Sequence, residues 1–409
     1  MNFVYISPNF PEAFRFFCVR LHENGVNVLG IGDTPFENLH DDLKWCLTEY
    51  YRVDSLENYE EVLRAAGYFT WKYGKIDWIE SNNEYWLELD ARLRTDFHVE
   101  TGLQTADMDR IKHKSAMKEY YRKAGIPVAR ARFATTAEDA LEFIREVGYP
   151  AVAKPDNGVG AIATYKLECE EDVHRFFAEK PDVLYLMEEY VPGEVTTYDG
   201  VINSKGEVLF AASHVTRNSI MDMVNKGVPT YYYVNKKVPA DVERAGKAVL
   251  KAFDIRSRCF HLEFFRLTEG KKGLGRKGSI VALEVNMRPA GGFTPDMLNF
   301  SQSTDMYQIY ADMVAFDEIR HEHTGPKSYC IYAGRRDENH YALSFAELEE
   351  YAGNHGRLFT RMPDALAGTM GNQVAIACYG TMREVDAFVE KAFALAEKKE
   401  EQKTQKASD

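Results

Sequence analysis

Two short apolar segments that carry acids in their interior constrain this chain more than any other feature. His261-Leu262-Glu263-Phe264-Phe265 holds one carboxylate inside an apolar run, and Val281-Ala282-Leu283-Glu284-Val285-Asn286-Met287-Arg288 alternates an acid, an amide and an arginine with apolar side chains. Period two belongs to an extended strand, and it puts Glu284, Asn286 and, if extension continues that far, Arg288 on one face. Glu269 to Gly278, rich in glycine and lysine, reads as an exposed loop joining two neighbouring strands. Pairing those strands brings Glu263 beside Glu284 and Asn286. Two buried carboxylates repel unless a cation compensates them, and an all-oxygen donor set suits magnesium, which keeps substrate phosphate oxygens in its shell. The plainer alternative is two strands whose acids point into water. Arg288 beside such a site could stabilise negative charge developing on an acyl phosphate or tetrahedral intermediate.

The start of the chain has a different character. Phe3 to Ile6 is a short apolar run, Pro11 opens a segment with Phe14, Phe17, Cys18 and Leu21 on one helical face, and Val26 to Ile31 follows Gly25. That is a β-α-β opening of the doubly wound kind. No GxGxxG follows its first strand, so no dinucleotide site is expected there. Met108 to Gly125 reads as one helix, Thr135-Thr136-Ala137-Glu138 as a capping box, and Ala140, Leu141, Ile144 and Val147 as an apolar helical face. Strands dominate from Ala151 to about 300, and residues 326 to 396 alternate again, with helices capped by Ser344 with Glu347 and Thr381 with Glu384. Glu397 to Asp409 reads as a frayed tail.

Composition narrows the functions. The 409 residues, 45% hydrophobic, are enough for two or three domains. With 63 acidic and 50 basic residues the net charge is −13, which argues against a nucleic-acid surface and favours small-molecule chemistry. Six scattered cysteines without a CxxC pair suggest reduced core thiols. Neither a signal peptide nor a membrane span is indicated, so the expected location is cytoplasmic, with no membrane partner.

Further candidates surround the acids. In Lys154-Pro155-Asp156-Asn157-Gly158-Val159-Gly160 a strand-end lysine meets a loop whose glycines Gly158 and Gly160 allow backbone N–H groups near phosphate; an ordinary turn would look the same. Gly270 to Gly278 imitates a phosphate cradle, but it lacks the GxxxxGK[ST] spacing and lies between strands, so it reads as a solvated loop. His214 and Arg217 sit where a strand gives way to a loop that runs to about Lys237 and contains Met221, Met223 and Tyr231 to Tyr233, a candidate cover. A structural histidine and strand-packing tyrosines are the alternatives. Gly291 and Gly292 turn the chain and could present N–H groups to a substrate carboxylate, and Arg335 and Arg336 could clamp an acid. A structural turn and surface arginines remain equally open.

Together these motifs resemble the ATP-grasp superfamily over about residues 1 to 390, including its L-amino acid ligases, biotin carboxylase and carbamoyl-phosphate synthetase domains. The match lies in Lys114-Ser115-Ala116-Met117 leading to Gly125-Ile126-Pro127, in Lys154 after Tyr149-Pro150, in Met187-Glu188-Glu189-Tyr190-Val191-Pro192-Gly193-Glu194, and in Glu263, Glu284, Asn286 and Arg288. The resemblance implies an α/β and α+β chain. Its parts would be a Rossmann-like pre-grasp domain at 1–105, a two-lobed grasp at 106–325 with a small lobe about 126–192, a C-terminal α+β unit at 326–396, and a tail at 397–409. It implies ATP and two magnesium ions, with manganese as a substitute. Lys114 and Lys154 would contact phosphate, Glu188, Glu189, Tyr190 and Val191 would form the adenine hinge, and Glu194 would hold the ribose. Glu263, Glu284 and Asn286 would be the metal ligands, with Arg288 catalytic. The expected function is an ATP-dependent carboxylate–amine ligase, with amino acids among the candidate substrates and a homodimer allowed. A bicarbonate-activating enzyme and a nucleotide sensor without turnover are the alternatives.

Overall fold

A computed structural model describes residues 1–158, 163–217, 229–321 and 324–396. The N-terminal sheet is parallel throughout, in the order β3 (Glu49–Arg52), β2 (Asn27–Gly32), β1 (Asn2–Ile6), β4 (Trp78–Glu80). The β-α-β opening read from the sequence is therefore present. The helix Arg15–Glu23 buries Phe17, Cys18 and Leu21, the stripe its spacing indicated. Phe17 then meets Tyr307 and Tyr310 of the helix Met306–Phe316 at ring-centroid distances of 4.8 and 5.0 Å. Each fully buried aromatic side chain of this kind contributes about 2 kcal/mol or more of hydrophobic stabilisation. This layer joins the N-terminal sheet to the central one.

A small antiparallel sheet follows, ordered β5 (Ala131–Phe133), β8 (Tyr185–Glu189), β6 (Ala151–Pro155), β7 (Tyr165–Leu167). Helices Ala137–Val147 and Glu170–Glu179 cover it, burying Ala140, Phe143, Ile144, Val173 and Phe176. The central sheet runs β14 (Ile280–Asn286), β13 (Arg258–Leu267), β9 (Gly193–Ile202), β11 (His214–Thr216), β12 (Thr230–Val234), β15 (Tyr329–Arg335), β17 (Gln373–Tyr379), β16 (Gly356–Arg361), with β10 (Val208–Ala212) paired to β9. The C-terminal strands thus continue the central sheet, because β12 and β15 pair antiparallel with Tyr232 opposite Tyr332. Tyr231 to Tyr233 lie in that ladder, which supports the strand-packing reading of this run. Five of the six cysteines are buried and all six are free; Cys169 is exposed. Among the described residues no helix is long and apolar enough to cross a membrane.

Three local expectations need correction. The segment from Met108 is two helices, Met108–Lys112 and Lys114–Lys123, because His113 is extended (φ −93°, ψ 116°) and bridges to Asn157. The break lets the Asp156 carboxylate accept from the backbone and hydroxyl of Ser115 at 2.8 and 2.9 Å, capping the second helix from the end of β6. The capping box starts one residue later than expected, with Thr136 and Asp139 exchanging hydrogen bonds. Phe143, absent from the expected face of that helix, is buried there, while Leu141 and Val147 pack partly buried at its margin. Gly160, Met221, Met223 and the tail from 397 lie outside the described residues.

Candidate active site

Antiparallel pairing of β13 with β14 sets Glu263 opposite Glu284 and His261 opposite Asn286. Period two then aims Glu263, Glu284, Asn286 and Arg288 into one cavity, walled on its other sides by Lys114, Lys154, Thr164, Glu188 to Val191, Gly193, Val195, Thr216 and Arg217. The pairing of the two acid-bearing strands that the alternation predicted is present. Apolar Val152, Val191, Val195, Phe265 and Leu283 line the same space and give a flat ring a dry surface between the two sheets.

Charge is paired across the cavity. Lys114 Nζ lies 2.9 Å from Glu284 Oε1 and donates to the Gly158 carbonyl at 2.8 Å, so one ammonium ties the acid strand to the start of the glycine loop. The Glu188 carboxylate is held from both ends, by Lys118 at 2.5 Å and Lys154 at 2.7 Å. Burial alone would raise the Glu188 carboxyl, but the two ammonium groups overcome it and hold it down at about 2. A carboxylate held in this way orients the two lysines at the cavity wall that it also lines. Glu189 is buried and pinned by Arg130 through its backbone N–H and guanidinium, at 2.8 and 2.9 Å. The glycine-lysine loop is not simply solvated: Leu274 is buried and Lys271 donates to the Tyr190 carbonyl, fastening the loop to the hinge.

Several contributing residues escaped the sequence reading. Lys118 stands one helical turn after Lys114, and that i,i+4 spacing was its available signal. Glu84, just beyond β4, lies 3.5 Å from Arg288 and 2.8 Å from Lys112, so the N-terminal domain reaches the arginine. Arg258 donates to the Met287 carbonyl at 2.7 Å and fixes the end of β14. His261 lines the cavity beside Glu263, and Asp199 on the neighbouring strand pairs with it, with a separation of 2.6 Å between Oδ1 and Nδ1. Burial opposes charge on His261, yet Asp199 and then Glu263 outweigh it and lift the imidazole to about 9.

Other candidates are placed elsewhere. Glu194 is not part of the cavity wall: Gly193 and Val195 face the cavity, and alternation along β9 turns the residue between them away. His214 is buried against Asp199 and Thr197, as a structural histidine would be, and does not line the cavity. Arg217 does line it, with its guanidinium 5.6 Å from the Tyr233 ring. Gly291 and Gly292 fall outside the wall; φ of +61° at Gly292 marks a tight turn. Arg335 is 2% exposed, donates to the Leu343 and Ser344 carbonyls and packs on Tyr341, so it cannot clamp a substrate acid. Arg336 donates to the Gly368 carbonyl.

The donors fit magnesium. Among the described residues no three His, Cys, Asp or Glu side chains converge to hold a metal by themselves. Two carboxylates and an amide form an incomplete oxygen cage of the sort that magnesium completes with water and phosphate oxygens.

An apolar slot between two sheets, with lysines on one side and an oxygen donor set at its far end, is the arrangement of the ATP-grasp fold, which the chain shares with the ligases it is similar to. No protein-family model matches the chain. An L-arginine-specific L-amino acid ligase of Bacillus subtilis is 26% identical over 303 residues, 71% of this chain and 70% of that protein. Among solved structures, an L-amino acid ligase from Bacillus licheniformis superposes with a TM-score of 0.67 at 14% identity, covering 96% of both chains. An N5-carboxyaminoimidazole synthetase from Staphylococcus aureus gives a TM-score of 0.68 at 12% identity, over 96% of this chain and 97% of that one.

Proposed function

We propose that the protein joins a carboxylate to an amine at the expense of ATP, with amino acids as the candidate substrates. The carboxylate oxygen attacks the γ-phosphorus and ADP leaves; the amine then attacks the acyl phosphate, phosphate leaves, and the amine gives up a proton as the amide forms. One observation carries the reading: β13 and β14 align Glu263, Glu284 and Asn286 in the cavity that Lys114, Lys154 and the Glu188 to Val191 hinge enclose. Magnesium held by those three side chains would offset phosphate charge. Lys114 and Lys154 would neutralise the phosphates, and Arg288, oriented by Glu84, would stabilise charge on the reacting acyl group. The hinge backbone at Glu189 and Val191 would face the base. Similarity to the Bacillus subtilis ligase supports the amide-forming outcome.

The proposed layout is a pre-grasp domain to about 105, a grasp to about 325, and a C-terminal unit whose strands lengthen the grasp sheet. A cytoplasmic enzyme, a homodimer and use of manganese in place of magnesium belong to the same proposal. The test is a matrix of carboxylic and amino acids scored for ADP, phosphate and product mass, with Glu284→Gln alongside. Amide product from the wild type, reduced at least about 100-fold in the variant, is expected for loss of a group acting on transition-state charge. Labelled bicarbonate incorporated in place of an amino acid, or full activity in Glu284→Gln, overturns the reading.

A further inference from the structure

Beside the acids, on the same face of the sheet, runs a buried polar row that begins at His261 on the cavity wall and that the roles above leave unused. Asp199 is 1% exposed and lies between two imidazoles, with Oδ1 2.6 Å from His261 Nδ1 and Oδ2 2.9 Å from His214 Nδ1. The Thr197 hydroxyl donates to the same Oδ2, and it accepts the His214 backbone N–H at 2.9 Å. The two rings are nearly parallel, 15° apart, with centroids separated by 5.5 Å. On the side away from Asp199, His261 Nε2 lies 3.3 Å from Glu263 Oε1.

Register keeps the row on one face of the sheet. His261 is opposite Asp199 on one neighbour and Asn286 on the other, and Glu263 is opposite Thr197 and Glu284. Burying an aspartate at such a place is costly unless its oxygens are satisfied, and here three groups converge on it. A fixed Asp199 fixes the two-fold χ2 of His261, because turning the ring would break the Nδ1 contact and withdraw Nε2 from Glu263. Glu263, in contrast, is a long side chain with several rotamers, and repulsion from Glu284 alone would turn it away.

We infer that Asp199 and His261 are positioning residues, Asp199 locking the ring of His261 and His261 holding Glu263 in the rotamer that shares a magnesium ion with Glu284 and Asn286. The inference rests on the assignment of Glu263 as a metal ligand. Outer partners of metal ligands are typically worth about 10- to 100-fold in metal affinity.

The experiment titrates magnesium into full-length protein with a trinitrophenyl-ATP probe, against a parallel titration of the probe in EDTA. Asp199→Ala is expected to raise the magnesium half-saturation about 10-fold or more while leaving metal-free probe affinity unchanged. Thr197→Val loses a contact to the same aspartate but keeps the Asp199–His261 contact; it should lower the melting temperature without moving the magnesium response. An unmoved half-saturation in folded Asp199→Ala, or an equal shift in Thr197→Val, overturns the inference. If Asp199→Ala does not fold, His261→Gln decides in its place, since one amide cannot reach both Asp199 and Glu263. Glu263→Gln separates the two levels: if it leaves the half-saturation unmoved, the metal assignment has failed, and if it alone moves it, only the positioning role has.

Discussion

Replacing Glu188 by glutamine removes the charge that joins Lys118 to Lys154 across the small sheet. The carboxylate is 7% exposed and contacts both ammonium groups within 2.7 Å. Its drop from the ordinary 4.5 to about 2 corresponds to about 3 kcal/mol of folded-state preference for the charged form, at about 1.4 kcal/mol per unit. Because the folded value is depressed, that stability is fully present above 4.5 and is lost as the pH falls toward 2. The wild type should therefore exceed Glu188→Gln by about 3 kcal/mol at pH 7, and by less than half of that near pH 3. That figure already contains the attraction to the buried Lys118 and Lys154, so their loss of a partner is not a separate contribution. Hydrogen exchange of β6 and β8 reports the small sheet directly, and urea unfolding followed by circular dichroism reports the whole. A gap below about 0.5 kcal/mol at pH 7, or one that does not shrink on acidification, would mean that Glu188 does not bridge the lysines.

Arg335→Met should lower stability by about 1–3 kcal/mol in thermal unfolding, by orphaning the Leu343 and Ser344 carbonyls, and should leave substrate KM unchanged; a raised KM at full stability would restore it as a substrate clamp. Glu194→Gln should keep the KM for ATP within about two-fold, since the residue lies off the cavity wall, and a ten-fold rise (about 1.4 kcal/mol) would contradict that placement. Gly334→Ala puts a Cβ 1.9 Å from the Met370 carbonyl oxygen and should cost about 2 kcal/mol or more; an unchanged melting temperature would refute the close approach.

The parts of the site built on period two were legible before any coordinates. Glu263, Glu284 and Asn286 needed only a strand pair, and the register supplied it. The parts held together by long-range pairing were not. Lys118 reads as one more lysine on a polar helix until Glu188 from another strand meets it, and Glu84 becomes part of the site through Arg288, more than two hundred residues later. Buried and exposed arginines share one letter, so Arg335 looked available when it is consumed by two carbonyls. The helix break at His113 depends on the bridge to Asn157, a tertiary contact that overrides local propensity. Alternation separates Glu194 from Gly193 and Val195, but which of the two faces of β9 meets the cavity is set by the neighbouring strands and was not written in the sequence.

The antiparallel ladder between β12 and β15 also bears on how the chain is made. Domains generally fold from the N-terminus as synthesis proceeds. A nascent chain that has reached Asn286 already contains the hinge, both lysines and all three oxygen donors, yet β12 still has an open edge facing solvent. An uncovered edge is a template for pairing with other chains. Not until Tyr329 to Arg335 emerge does that edge find its own partner, and β17 and β16 then move the boundary of the sheet outward to a strand that begins with glycine and ends with arginine. The C-terminal segment is therefore the element that covers the β12 edge, one that would otherwise be a template for another chain.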